Sequence, residues 1–383
     1  MAASGNRIYK YDNVKALLIL LVVIGHMTTD YVSDSHMVRW ITLWIYTFHM
    51  PAFVFLSGLV HKQYITQEQA AAGIRGETRM RWDKATGYFL CAYSLKIFLQ
   101  FTRTLMGQHP LWHWIEEPGI PWYLFVMAEY EVLFYVIRRI DRRAKPWMVI
   151  TGALILSAAV GYFPAVGDTF CISRMINFLP IYALGYYLDM REFLGFVGEK
   201  KARIAGWAVI AASVIICRFG PWGMYSMRKW FTGRRSYDFL TEFFGGAAIR
   251  WGWLIRPAVW AVAMLITLAI LSVIPDRDLG FITKAGSRTL QVYFWHRPLC
   301  YWFRTLKVLP LLFILFGGSY DESVAGQIPG HAFHGGVMSM LPALTIYILI
   351  GVLMTAFFSL GIFRHPTDDL MKLGRKIGGG SRK

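Results

Sequence analysis

Charge is scarce in this chain. Only 16% of its 383 residues are charged and 56% are hydrophobic, against about 25% charged in an ordinary soluble domain. That deficit of surface-forming residues excludes a conventional soluble globule. The runs Leu17–Ile24, Ile150–Val160, Ala258–Ile274 and Leu341–Leu360 hold few or no charges, as a bilayer core about 30 Å thick requires. The polar–apolar alternation of an outer-membrane barrel does not recur, so the expected spans are helices. Cysteine is sparse too. Cys91, Cys171, Cys217 and Cys300 are scattered through apolar segments, which gives neither a disulfide framework nor a metal-ligand spacing; no metal is expected. No small-residue cleavage site follows the first apolar run, so that run reads as a retained helix. Neither an internal repeat nor a soluble domain is visible.

What the chain does have is positive charge, +17 at neutral pH. The basic clusters sit between apolar spans and no nucleic-acid motif accompanies them, so a nucleic-acid partner is not expected. A polyanionic small ligand at the basic face stays open. The pattern predicts an all-α, polytopic bundle of about ten transmembrane helices, near 14–31, 38–60, 85–106, 121–138, 147–163, 172–190, 203–219, 255–274, 288–316 and 338–363. Lys and Arg crowd one set of loops, including Arg75–Lys84 and Arg138–Lys145. The loops His109–Pro121 and Gly317–Gly336 carry none. The positive-inside rule then puts both termini in the cytoplasm. Phe219–Arg256 resists, since it falls outside yet holds Arg228, Lys229, Arg234, Arg235 and Arg250; it reads as a long aromatic loop with interfacial or re-entrant pieces. Residues 1–366 form one membrane-embedded domain in this reading. Residues 367–383 form a cytoplasmic tail, disordered from Gly374.

Several polar residues interrupt the apolar helices, where ionisable groups are costly and usually functional. His26 lies near the far end of the first helix. Lys15 precedes it by about 16 Å along the axis, and Asp30 follows at i+4, where a carboxylate can fix an imidazole tautomer. The alternatives are a histidine bonded across a helix interface and a solvated Asp30. In Thr47–Gly58, His49 stands just before Pro51, with Ser57 and Gly58 allowing close helix contact; a kinked packing helix is the alternative. Arg79, Arg81 and Lys84 can reach one polyanion together, or simply anchor topology. Glu129 and Glu131 fall inside a span, where a carboxylate acts in proton transfer or pairs with a cation; an internal ion pair with Arg103 is the alternative. His296 and Arg297 lie among aromatics, and Arg174 and Asn177 open another apolar run.

In order along the chain, these blocks resemble the acyltransferase-3 family of membrane O-acyltransferases, including its fucose-4-O-acetylase-like members. Asp12, Lys15 and His26 match the family's acid, base and histidine spacing. Phe48–Gly58 matches its Phe-His-Met-Pro block, Trp122–Leu124 its Trp-aromatic-Leu block, Arg174–Tyr186 its Arg-led run, and Ser287–Pro298 its Ser-Leu-Tyr-His-Pro block. A basic stretch follows the second helix, although Met80 separates Arg79 from Arg81. The resemblance covers essentially the whole chain.

It implies transfer of an acyl group, usually acetyl from acetyl-CoA, to a hydroxyl of a sugar, glycan or glycolipid at the cell membrane. In that scheme His26 is the general base, worth roughly 10²–10⁴-fold, or is itself acylated. Asp30, Lys15 and Glu129 complete the catalytic set. Arg79, Arg81 and Lys84 take the CoA phosphates, and His49, Ser57, Trp122, Arg174 and His296 face the acceptor. The rival readings are a secondary transporter, for which no inverted repeat is visible, and a non-catalytic partner of an envelope-polymer assembly system.

Overall fold

The computed structural model describes residues 8–72, 80–117, 119–140, 145–234 and 236–379, without the side chains of 67–72, 242 and 243. The protein is all-α and membrane-embedded. Its principal helices are α1 (Tyr9–Thr28), α2 (His36–Ala72), α3 (Trp82–Leu105), α4 (Trp122–Ile140), α5 (Pro146–Val160), α6 (Ile172–Tyr187), α7 (Met190–Gly198) and α8 (Lys200–Phe219). There follow α9 (Gly252–Val273), α10 (Phe281–Gly286), α11 (Thr289–Thr305), α12 (Val308–Leu315), α13 (Val337–Phe358) and α14 (His365–Gly378). Between α8 and α9 the described residues form only short helical turns joined by irregular backbone.

Among the described residues, five helices are long and apolar enough to cross a bilayer, or six if the bent pair α11–α12 is one span. The expected ten is not reached on those criteria. α5 and α6 are only 15 and 16 residues long. α4 carries Glu129, Glu131, Arg138 and Arg139. The single span expected over 288–316 is bent by 53°, where Lys307 takes a left-handed φ of 52°.

The chain divides into two compact units. The first comprises Met1–His49, Val197–Arg228 and Leu265–Arg364. Its helices approach through residues without a Cβ. A side chain at Gly286 of α10 would meet the Asp12 carbonyl oxygen of α1 at 1.7 Å, and one at Gly206 of α8 would meet Ser272 Oγ of α9 at 2.0 Å. Asn13, buried on α1, donates to the Pro275 and Arg277 carbonyls and accepts from Thr283. The opposite faces stay apolar: Ile204, Trp207, Ile215 and Phe219 of α8 and Leu349, Leu353 and Phe357 of α13 are exposed. A helix apolar on its outer face is what lipid contact demands.

The second unit comprises Met50–Phe196, Lys229–Met264 and His365–Lys383. Here α2 and α6 cross at Gly58 and Gly185. A Cβ on either would fall 2.2–2.3 Å from a carbonyl oxygen of the other helix, the small-residue packing that membrane helices favour. The tail departs from expectation. Rather than being disordered from Gly374, it forms α14, because Gly374 lets that helix close onto Gly87 of α3, where a Cβ would sit 2.4 Å from backbone.

Candidate active site

The first unit gathers three histidines. The α1 sequence puts Asp12 in its first turn and His26 in its last, each at the end its charge favours. The His26 ring stacks on His296 of α11, with centroids 5.3 Å apart and planes 26° apart. Arg297 donates from Nη1 to the His26 carbonyl at 3.1 Å and lies 4.8 Å from the Tyr301 ring. Among the described residues none hydrogen-bonds the His26 ring, and the charged or titratable groups near enough to act on it are Arg297, His296, His49 and Arg228.

His49 and His296 are held alike. Each is buried on a helix, and each Nδ1 meets the carbonyl one turn back: Ile45 at 2.7 Å and Val292 at 3.0 Å. A carbonyl only accepts, so Nδ1 carries the proton in both rings and Nε2 presents a lone pair. His296 Nε2 is buried with no hydrogen-bond partner among the described residues. Tyr46 stands edge-on to His49 at 4.9 Å and shares a 3.1 Å hydroxyl bond with Thr29.

Of the two charged residues that flank His26 in the sequence, Asp30, expected beside its ring, turns elsewhere, and Lys15 stays at the other end of the helix. Asp30 meets Arg304 at 3.3 Å, not the imidazole. Lys15 pairs with Asp12 at 2.9 Å, one turn away on the same helix, which is the ion pair its i+3 spacing offers.

The second unit holds the remaining expected residues in separate settings. Ser57 donates to the Phe53 carbonyl and shares a 2.8 Å bond with Tyr123 OH. Trp122 stacks on Phe178 at 5.2 Å. The Arg174 guanidinium lies 5.1 Å from the Trp122 ring, 3.7 Å from Asp168 and 3.3 Å from the Gly119 carbonyl. Glu129 Oε2 is buried without a hydrogen-bond partner among the described residues; Arg103, proposed as its partner, bonds Gln108 instead.

Arg79 lies outside the described residues. Arg81 and Lys84 flank the Tyr64 ring at 4.3 and 5.9 Å, and Arg81 reaches Glu131 at 3.7 Å. Two neighbours escaped the sequence reading. His61 Nδ1 meets Tyr182 OH at 2.6 Å while Nε2 lies 3.2 Å from Glu131, an approach too oblique for a hydrogen bond. Arg138 donates to Tyr186 OH at 2.8 Å, and Lys62 lies 5.4 Å from that ring. A histidine three residues beyond Gly58 was a signal available in the sequence, because it continues the apolar stretch of α2. Among the described residues no group of three or more histidine, cysteine or acidic side chains has the geometry to hold a metal.

A family model described as an acyltransferase domain, Acyl_transf_3, matches residues 8–364. The chain belongs to this acyltransferase family. A curated relative, the Nodulation protein NolL of Mesorhizobium japonicum (strain LMG 29417 / CECT 9101 / MAFF 303099), is 26% identical over 191 residues. That alignment covers 48% of this chain and 48% of NolL, about half the relative's length. No solved structure matches the chain. The family match runs from the start of α1 through the end of α13 and so takes in all three clustered histidines.

Proposed function

We propose that this protein is an O-acyltransferase of the cell membrane. It moves an acyl group, acetyl in the simplest case, from acyl-CoA to a hydroxyl of a sugar, glycan or glycolipid. The observation that carries the reading is the histidine cluster. An imidazole with no hydrogen bond on its ring among the described residues lies beside two histidines locked as Nδ1–H tautomers and beside an arginine held on its own carbonyl.

His26 takes the proton of the acceptor hydroxyl as that oxygen attacks the thioester carbon. The new C–O bond forms, negative charge collects on the thioester oxygen, and the C–S bond breaks as the charge returns. The departing CoA thiolate recovers the proton from the His26 imidazolium. Charge that develops on an oxyanion is best met by donors already in place, and the nearby Arg297 is such a donor. His49 and His296, with Nε2 as acceptor, suit hydroxyl groups of the acceptor. Asp30, Lys15 and Glu129 keep supporting catalytic roles in this scheme. Asp30 acts through Arg304 and Lys15 through Asp12, while the buried, unpartnered carboxyl of Glu129 is suited to holding a proton.

Arg79, Arg81 and Lys84 are assigned to the CoA phosphates, for which guanidinium groups have the right fork geometry. Ser57, Trp122 and Arg174 are assigned to the acceptor. Both termini lie in the cytoplasm, as the loop charges require, so the donor is drawn from the compartment that contains CoA.

The test is direct. Purified protein in nanodiscs receives acetyl-CoA with and without a panel of methyl glycosides, and free CoA thiol and acetylated sugar are measured together. Acceptor-dependent thiol release with matching sugar acetylation is the expected result. Glycoside uptake by proteoliposomes of the same protein, without acetylation, overturns the assignment in favour of a transporter.

A further inference from the structure

In the first unit the start of α2 packs against the turn that follows α8, leaving a shallow surface depression lined in part by His36, Arg39, Trp40, Trp222 and Tyr225. The Arg39 guanidinium lies 4.1 Å from the Trp222 ring centre and 4.8 Å from that of Tyr225. Its Nε donates to the Trp222 carbonyl and its Nη1 to the Val32 carbonyl. Arg228 comes next, 5.0 Å from both Tyr225 and Tyr46, and Tyr46 is the residue edge-on to His49. Rings and guanidinium groups therefore alternate from the depression to the histidine cluster.

Two observations point to a ligand. Polar groups on this path lack partners. Tyr225 is only 9% exposed, yet its hydroxyl has no hydrogen-bond partner among the described residues, and neither has Trp40 Nε1 or Arg228 Nε. Buried groups of this kind are normally satisfied, by protein or by something bound. The nearby carboxylates are also engaged elsewhere: Asp30 faces Arg304 at 3.3 Å and Asp34 accepts from the Gly326 N–H at 2.8 Å. Arg39 thus lies on rings and carbonyls and Arg228 on rings, and neither has an ion pair among the described residues.

We propose that this depression is an acceptor subsite and that it takes the anionic group, a carboxylate or a phosphate, of a saccharide. The inference rests on the acyl-transfer reading and narrows its acceptor. Guanidinium forks recognise such anions, aromatic faces suit the apolar face of a sugar ring, and the unpartnered donors supply hydrogen bonds for its hydroxyls.

The probes are methyl glucuronide and methyl glucoside, titrated into the full-length protein in detergent and followed by saturation-transfer NMR. The glucuronide should bind at least about 10-fold more tightly, in line with a charge-assisted bond, and the preference should shrink as salt rises. Arg39→Gln should erase the preference, and Arg39→Lys, which keeps charge but not the fork, should fall between. Tyr225→Phe removes a hydroxyl that no protein group uses. It should weaken glucuronide binding about 2- to 10-fold without lowering the melting temperature, a pattern that a purely structural tyrosine would not give. Equal affinity for the two glycosides, or a preference that survives Arg39→Gln, overturns the proposal. So does displacement of the glucuronide by phosphatidylglycerol nanodiscs but not by phosphatidylcholine ones, which would assign the depression to a lipid headgroup. Acetyl-CoA turnover by the unaltered protein is measured alongside; turnover with equal glycoside affinities leaves acyl transfer standing and rejects only this subsite.

Discussion

In the second unit three buried cations meet carboxylates, while a fourth, Arg256, lies against the Tyr237 and Trp260 rings. Lys96 faces Glu117 at 3.5 Å, Arg174 faces Asp168 at 3.7 Å and Arg81 faces Glu131 at 3.7 Å. In the first unit Arg39, Arg228 and Arg297 lie instead on aromatic rings and carbonyl oxygens. The difference separates two uses of buried charge. A charge with its counter-charge in place is internally satisfied, and losing one partner strands the other. A charge without one is poised for an anion that arrives and leaves, as an acceptor or a transition state does. The comparison thus predicts that substitutions in the first unit damage activity more than stability, and that those at the second unit's ion pairs do the reverse.

His26→Ala should show the largest effect. Losing the general base should lower transfer by 10²-fold or more, while the melting temperature of the purified protein stays near that of the parent. Retention of more than a few per cent of activity would remove His26 from the mechanism. The counterpart in the second unit is Lys96→Met. Lys96 also donates to the Glu116 carbonyl at 2.6 Å, so its loss strands a buried carboxylate and a carbonyl together. Destabilisation of about 3–5 kcal/mol is expected, read as the denaturant midpoint in detergent. A stable but inactive Lys96→Met protein would break the comparison.

A smaller effect is expected from replacing Arg81 and Lys84 by glutamine together. The pair flanks Tyr64, and Arg81 is also tied to Glu131, so some charge toward an incoming phosphate is already compensated. The KM for acetyl-CoA should rise about 10-fold, the KM for the sugar should not move, and the donor defect relative to the parent should shrink as ionic strength rises; because the change also strands Glu131, stability should fall as well. An unchanged donor KM leaves these residues as topology anchors.

How much of this was legible beforehand depended on what spacing can encode. The all-α membrane class followed from charge scarcity and apolar runs, and His26 stood out because an ionisable group deep in an apolar helix is conspicuous. Asp12 and Lys15 stand out as part of one spaced motif, and their i+3 separation offers the ion pair observed. Long-range partners did not. Nothing near Asp30 announces Arg304, 274 residues away, so the local i+4 rule pointed to His26 instead. The ring stack of His26 on His296 spans 270 residues and was equally hidden. The tail was misread because the composition of Gly374–Lys383 looks like a linker, whereas Gly374 serves as a contact surface. The bend at Lys307 left no sequence mark, since a lysine at positive φ is uncommon.

The smallest expected effect compares two loop carboxylates, one from each unit. Burial pushes both Asp34 and Glu117 above the usual carboxylate range. Glu117 has Lys96 beside it, whereas Asp34 is held by the Gly326 N–H and, among the described residues, has no cation in an ion pair with it. A carboxyl with a raised native pKa binds its proton more tightly folded than unfolded. Its contribution to stability is therefore fully present below the unfolded value and is lost as pH rises through the folded one. At neutral pH Asp34 is thus a net cost that asparagine relieves while keeping an acceptor for Gly326. Asp34→Asn should leave stability at pH 7 unchanged or higher by no more than about 1 kcal/mol, and should flatten its rise as pH falls from 7 toward 4. Glu117→Gln should also remove its own pH dependence. It strands Lys96, however, so stability at pH 7 should fall. Equal responses of the two variants at pH 7 would show that the pairing of buried charge does not distinguish the units.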